Sequence, residues 1–242
     1  MNEPTIYAAF ETAALTHAVE ILRKHGLRIV STPTPDVTHL LLPVPSPKEL
    51  QPVLRQLSPT VTIVGGNLTI PSYQCIDLLK DEHYLFKNAR ITAHIALSIA
   101  LQKLPIIIEG CPVLILGYGR IGKCLAQLLR DVGADVTIAA RKRSDLAMAE
   151  AMGYASTDIN ALGYILRRYR VIFNTVPHPV LSQEQQTNCH ANCVKIDLAS
   201  SPGIAGDTIQ ARGLPGKYAP ESSGKLIAQT VLRLLAEQEV RQ

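Results

Sequence analysis

The chain has no tryptophan, only three phenylalanines and an aromatic share of 5%, and no basic stripe runs among the few aromatics. A nucleic-acid surface needs that pairing of cations and stacking rings, and no finger or RNA-binding signature replaces it, so nucleic acid is excluded as a partner. Long apolar runs are also missing. None approaches the ~18 residues of a membrane span, and the first residues carry no basic segment followed by an apolar core. A cytoplasmic protein without membrane contacts is expected. Cysteine is scarce: five residues, an odd number, with no CxxC, which fits a reducing compartment and no disulfide framework. Cys189, His190 and Cys193 could be drawn as a metal site, but CxxxC without a second pair is a poor zinc pattern. No metal is expected, and Cys193 reads as the start of a buried strand. Net charge is small, +4 from 24 basic and 20 acidic residues. With 47% hydrophobic and 18% charged residues over 242 positions, the chain is an ordinary globular protein of one large or two small domains.

What is present is concentrated in residues 111–143. Four apolar residues, Val113 to Leu116, run into Gly117-Tyr118-Gly119-Arg120-Ile121-Gly122. From there Ile121, Cys124, Leu125, Leu128, Leu129 and Val132 recur at intervals of three and four. The change of period predicts a strand, a turn and a helix with one buried face. Gly133 closes the helix and Val136–Ala140 forms the next strand. In that setting Gly117 permits the tight turn, Gly119 lets the backbone approach a pyrophosphate, and Gly122 lets the helix pack close to the strand. Amides at the helix start would bind the phosphates. The same glycines also fit a tight turn in a ligand-free α/β domain.

The end of the second strand discriminates between dinucleotides. NAD selection calls for Asp or Glu there, to accept hydrogen bonds from the ribose 2′-hydroxyl. The chain instead reads Ala139-Ala140-Arg141-Lys142-Arg143. Asp135 is too early and Asp145 opens the following helix. Arg141 is the expected 2′-phosphate contact, supported by Lys142 and Ser144, and the cofactor is read as NADP(H). A solvated basic turn is the competing reading.

Elsewhere, Thr5–Phe10, Leu15–Arg23 and Arg28–Ser31 predict a βαβ opening of a first α/β domain. The proline-rich stretch 32–47 admits no helix, though His39–Pro43 reads as a strand. A helix over Pro47–Leu57 and a strand over Thr60–Val64 complete a module of three to four strands ending near residue 86, without a glycine-rich loop at its first turn. Asn88–Leu104 predicts a helix bridging to the nucleotide domain. Its N-terminal half carries Arg90, Thr92 and His94, candidate site residues that also fit a helix cap or solvated side chains. Leu146–Met152 is expected as a helix, Tyr154–Ser156 as a strand, and Asp158 as the cap of a helix reaching Tyr169. The strand from Arg170 ends in Asn174, Thr175, Val176 and Pro177, and the one from Val194 ends in Asp197, Leu198 and Ala199. Ligands in open α/β sheets lie beyond such carboxyl ends. A last helix carries Leu226, Ile227, Val231, Leu234 and Leu235. The expected fold is two α/β domains, the second a Rossmann-type doubly wound parallel sheet, with a bridging helix and a returning C-terminal helix. The boundaries are 1–87 with 220–242, and 88–219. Two connections would let such a pair close on a substrate.

The runs LGYGRIG, CLAQLLRDVGADVTIAARK, DLAMAEAMG, NTVP, IDLASSPG and GLPGKYAPESSGKLIAQTVL together resemble one family, the dehydrogenase-like A subunit of dipicolinate synthase, over residues 86–240. The last run is the most specific. The family usually follows its DLASxPG with a second glycine, where this chain has Ile204. The resemblance implies NADP-linked oxidation of dihydrodipicolinate to pyridine-2,6-dicarboxylate in the mother cell of a sporulating bacterium. It also implies a partner, the synthase's flavoprotein-like B subunit, and a homo-oligomer is expected. Two carboxylates on the substrate need cationic donors, for which Arg90, Lys217 and Arg120 are the candidates. The departing proton needs a base, for which His94 or His178 is suited by residue type. Other readings remain: a different small-acid NADP dehydrogenase or imine reductase, or an NADP-binding regulatory subunit without chemistry.

Overall fold

The computed structural model describes residues 4–240. They divide into two compact units, one running to Ile91 and resuming at Pro215, the other Thr92–Leu214.

The first unit holds five short parallel strands, β1 (Thr5–Ala8), β2 (Arg28–Val30), β3 (His39–Leu41), β4 (Thr62–Gly65) and β5 (Cys75–Asp77), in the order β2-β1-β3-β4-β5. One strand more is present than the sequence pattern indicates. At three residues, β5 is too short to display a two-residue period. Helix α1 (Ala13–Lys24) starts where the Thr12 side chain accepts the Leu15 amide at 3.2 Å, and it buries Ala14, Leu15, Ala18 and Leu22. The helix expected over Pro47–Leu57 contracts to α2 (Gln51–Leu54). Prolines at 43, 45 and 47 keep the approach extended, and Pro59 stops any continuation beyond Ser58.

Helix α3 (Glu82–Lys103) begins six residues before the expected Asn88. Asp81 is the missed signal: its carboxylate accepts the Tyr84 amide at 2.7 Å and its carbonyl accepts the Leu85 amide at 2.9 Å, an N-terminal cap. Tyr84 and Ile91 join the core of the first unit. Ala93, Ala96, Leu97 and Ala100 join that of the second.

The second unit is a six-stranded parallel sheet of β6 (Pro112–Leu116), β7 (Asp135–Ala140), β8 (Ala155–Asp158), β9 (Val171–Asn174), β10 (Val194–Asp197) and β11 (Ile209–Gln210). The order β11-β10-β9-β6-β7-β8 is the doubly wound Rossmann order. Helices cover both faces, which is why β6 reads as an unbroken apolar run. Val113 and Ile115 pack with Leu125 and Leu129 of α4 (Arg120–Asp131), while Leu114 and Leu116 pack on the other face with Leu162, Leu166 and Ile172. Helix α5 (Arg143–Ala151) follows β7, and α6 (Gln183–Gln186) and α7 (Leu214–Tyr218) are short. The helix expected from Asp158 to Tyr169 is instead two 3-10 segments, Ile159–Ala161 and Gly163–Arg168. Asp158 does cap, accepting the Asn160 amide at 2.8 Å, but Gly163 takes a positive φ of 26° and breaks the α pattern.

The chain returns to the first unit as α8 (Pro220–Val240), whose Leu226, Ile227, Ala228 and Val231 enter its core. Gly224 makes the approach to α1 possible, because a Cβ there would strike the Ala14 carbonyl oxygen and crowd the Ala18 nitrogen at 2.9 Å. Among the described residues no helix is long and apolar enough to cross a membrane.

Candidate functional site

The carboxyl ends of four strands of the second unit lie side by side. Leu116 of β6 is in register with Ala139 of β7 and with Asn174 of β9, and Asn174 with Asp197 of β10. The loops that follow are tied at their roots. The Gly117 amide donates to Ala139 O at 2.8 Å and the Thr175 amide to Leu116 O at 2.9 Å, while the Thr175 hydroxyl reaches the same Leu116 oxygen at 3.0 Å.

This geometry assigns each glycine of the turn a separate role. Gly117 has φ +97°, and a Cβ there would press on the Thr175 hydroxyl at 2.6 Å and on Val176 at 2.8 Å. A Cβ on Gly122 would collide with the Gly117 carbonyl, so the first turn of α4 sits directly on the loop. Gly119 differs. It is exposed, a Cβ on it would meet nothing within 4 Å, and as the N-cap of α4 it offers no side chain to the first-turn amides. Open space over a helix N-terminus is what a pyrophosphate requires, so the residues present fit a dinucleotide.

Around that opening, Arg120, Arg141, Lys142 and Ser144 are exposed. Ala140 is buried at the end of β7, no carboxylate follows it before α5, and Asp145 lies in the first turn of that helix. Tyr118 turns inward: its ring meets Tyr154 edge-on at 6.3 Å with the Lys123 ammonium 5.5 Å from its centroid, and burial raises its hydroxyl above the usual phenol range. Ile121 packs against the same core. Only the backbone of these two positions is available to a phosphate.

Asn174 and Asp197, expected at the cofactor, are fully buried. Asn174 Nδ2 donates to Asp197 Oδ1 at 2.9 Å and to Val176 O at 3.0 Å, and its Oδ1 accepts the Val176 amide at 3.0 Å. The Asp197 carboxylate also accepts the amides of Ala199 at 3.1 Å, Gly203 at 2.7 Å and Ile204 at 3.1 Å. The two side chains therefore lock the 174–178 and 197–204 loops together and leave the rim to other groups. Thr175 and Val176 are half-buried, Pro177 and His178 exposed, and Leu198 and Ala199 buried. Gly203, whose Cβ would strike Asn174 and crowd two carbonyls at 2.9 Å, belongs to this lock. Its only signal in the sequence is its place at the end of the DLASSPG run. Ile204, at the family's second glycine, is buried with Leu181 in the apolar cluster beneath the loop and uses only its amide here.

Of the candidate catalytic residues, Arg90 and His94 lie one turn apart on α3 and are both exposed, whereas Thr92 is buried on another face of the helix. Lys217 is exposed on α7, its ammonium 5.1 Å from the Tyr218 ring centroid. Among the described residues no group of three or more His, Cys, Asp or Glu could hold a metal ion.

The family model for the NAD binding domain of D-isomer specific 2-hydroxyacid dehydrogenases matches residues 86–185. Among curated proteins, the dipicolinate synthase A subunit of Bacillus subtilis is 28% identical over 171 residues, which are 67% of this chain and 58% of that protein. The resemblance read from the motifs is borne out. The chain's match thus spans less than two thirds of that relative's length. Among solved structures, the dipicolinate synthase A subunit of Bacillus halodurans superimposes with a TM-score of 0.85 at 21% identity, covering 96% of this chain and 98% of that one. Its Bacillus subtilis counterpart gives 0.85 at 20% identity, over 100% and 99%. A transhydrogenase from Sinorhizobium meliloti gives 0.73 at 11% identity, over 97% and 94%. At these identities the structures attest the shared fold. With the family match, the second unit has the Rossmann-like fold of a NAD-binding domain.

Proposed function

We propose that the chain is the NADP-dependent oxidoreductase component of a dipicolinate synthase, similar to the A subunit of the Bacillus proteins, and that it oxidises dihydrodipicolinate to pyridine-2,6-dicarboxylate in sporulation. The observation that carries the cofactor choice is the end of β7. An exposed Arg141-Lys142 pair stands beside the open Gly119 turn, where NAD selection would put a carboxylate. Arg141 meets the 2′-phosphate, with Lys142 and Ser144 in support, and the α4 turn holds the pyrophosphate. The backbone and side chains of Thr175, Val176, Pro177, Leu198 and Ala199 border the nicotinamide half, positioned by the buried Asn174–Asp197 pair.

The bound nicotinamide would supply the hydride acceptor. The chain's own groups must hold a flat dianion and remove a ring proton. Arg90 and Lys217 supply charge-assisted hydrogen bonds to the carboxylates, and Arg120 serves the substrate or the pyrophosphate. His94, on the same exposed helix face as Arg90, takes the proton, with His178 as the other candidate base. Thr92, being buried, acts by holding that turn of α3. Since aromatisation favours the oxidation, positioning is the protein's main contribution. The proposed partner is a flavoprotein-like second subunit, and the proposed setting the cytoplasm of the mother cell. The family match to 2-hydroxyacid dehydrogenases favours a second reading, another small acid as the substrate of the same machinery.

Two measurements test this. Calorimetric titration with NADP⁺ and NAD⁺ should show Arg141→Ala losing NADP⁺ affinity by about ten-fold or more, roughly one charge-assisted hydrogen bond, with NAD⁺ binding little changed. Equal losses would remove the 2′-phosphate assignment. Reduction of NADP⁺ when dihydrodipicolinate is generated in situ, with and without the partner protein, tests the substrate. NADP⁺ binding without turnover under both conditions would favour a regulatory role.

A further inference from the structure

The groove between α4 and α5 has no part in the site described above. Lys123, Gln127 and Arg130 recur on α4 at intervals of four and three, so they share one face, while Met148 lies on α5 and Met152 caps its end one turn later. With Tyr118 and Tyr154 these side chains line a cavity of about 260 Å³. Arg130 is in the last turn of α4 and Tyr154 immediately precedes β8, so the cavity reaches toward the amino ends of the strands. Nucleotides lie beyond the opposite, carboxyl ends. The cations here are held without a counter-ion. The Arg130 guanidinium sits 4.7 Å from the Tyr154 ring centroid and donates to Met152 O at 2.7 Å, and the Lys123 ammonium sits 5.5 Å from the Tyr118 centroid. Among the described residues neither is paired with a carboxylate, and Glu150 of α5 is taken up by the Ser156 hydroxyl at 2.6 Å.

The two tyrosines are only 6% and 7% exposed, yet neither phenol hydroxyl has a hydrogen-bond partner among the described residues, and neither oxygen is sealed in the core. Both remain able to bond to something entering the cavity. Met148 and Met152 are half exposed, and such flexible, polarisable thioethers adapt to the edge of an aromatic ring. The lining thus combines hydrogen-bond donors and positive charge with an apolar wall, and its volume suits a single ring and not a nucleotide. We propose that this groove is a binding site for a small aromatic carboxylate. The ring packs against the two thioethers and the tyrosine edges. The carboxylate accepts a forked pair of bonds from Arg130, whose remaining N–H groups are unused among the described residues, with Lys123 adding charge from the other ring. The site does not depend on the reaction proposed above.

The chain has three methionines, Met1, Met148 and Met152, so carbon-13 labelling of the methionine methyls places two of its three NMR reporters in the groove. Benzoate titrated into the full chain should shift the Met148 and Met152 methyl signals together and to saturation, with the signals assigned through Met148→Leu and Met152→Leu. Benzamide, of the same shape without the charge, should need roughly ten-fold or higher concentrations for the same shift. Arg130→Gln and Lys123→Gln should each weaken benzoate by about ten-fold. Lys123 is exposed and its side chain makes no hydrogen bond among the described residues, so Lys123→Gln leaves the fold in place. The absence of a saturable methyl shift with benzoate, or equal shifts with benzoate and benzamide, would overturn the proposal. Both results are read on wild-type protein and do not depend on how the variants fold.

Discussion

Replacing Asp197 with asparagine changes one atom in a space where nothing can move aside, and its cost can be worked out bond by bond. The carboxylate is fully buried and accepts from Asn174 Nδ2 and from the amides of Ala199, Gly203 and Ile204 at 2.7–3.1 Å. An amide of the same shape keeps one acceptor oxygen. If it faces Gly203 and Ile204, its NH2 points at the donors of Asn174 and Ala199; if flipped, it points at the other two. Asn174 cannot turn to help, because its oxygen accepts the Val176 amide and its nitrogen donates to Val176 O. Two backbone or side-chain donors are left buried without acceptors, facing two new ones. Each such loss costs about 1–3 kcal/mol, so with two of them Asp197→Asn should cost about 2–6 kcal/mol. Thermal unfolding followed by near-UV circular dichroism should then show a midpoint lower by on the order of 10 °C, with NADP⁺ affinity falling as the two loops separate. A midpoint within a degree or two of wild type would refute the claim that this carboxylate joins the loops.

The glycine turn separates a binding effect from a packing effect. Gly119→Ala places a methyl in open space at a φ of −80° that alanine accepts. Stability should hold while NADP⁺ affinity falls roughly ten-fold or more as the methyl meets the pyrophosphate; unchanged affinity in calorimetry would rule out binding at this turn. Gly122→Ala forces a methyl against the Gly117 carbonyl and should lower the unfolding midpoint as well, at a cost of about 1–3 kcal/mol. The α3 cap predicts a pH effect. Burial raises the Asp81 carboxyl, but the Tyr84 amide and the Arg233 guanidinium at 2.6 Å outweigh it, so its folded value lies below the ordinary 3.8. A depressed carboxyl stabilises fully above its unfolded value, and the contribution disappears as pH falls through 3.8 towards the folded value. Asparagine still caps the helix, so Asp81→Asn should cost about 0.5–1 kcal/mol at neutral pH through the part-exposed Arg233 pair, and its stability should fall less than that of wild type below pH 4, as measured by urea unfolding across that range.

The sequence is most informative where one residue type has a single physical reason to be there. The apolar run of β6, the period change at Ile121 and the two crowded glycines each leave few alternatives, and the parallel sheet follows from the alternation of strands and helices around them, while its strand order is seen only in the fold. Where the pattern misleads, the deciding interaction is short or tertiary. Asp81 begins α3 through two hydrogen bonds that no apolar period records. Gly163 turns an expected α-helix into 3-10 segments through one backbone angle. A polar residue at a strand end carries a deeper ambiguity, since it is suited both to touching a ligand and to holding the loop that does. Asn174 and Asp197 share that position with Thr175 and Pro177, and the letters alone do not say which pair faces inward. In the fold, Asn174 and Asp197 become cross-strand partners only because β9 and β10 are adjacent and in register. Twenty-three residues of sequence separate them. Both acquire their role from the sheet, so their contribution to any nucleotide bound at the rim is through the geometry of the loops, and a substitution there should alter affinity only to the extent that it alters loop stability.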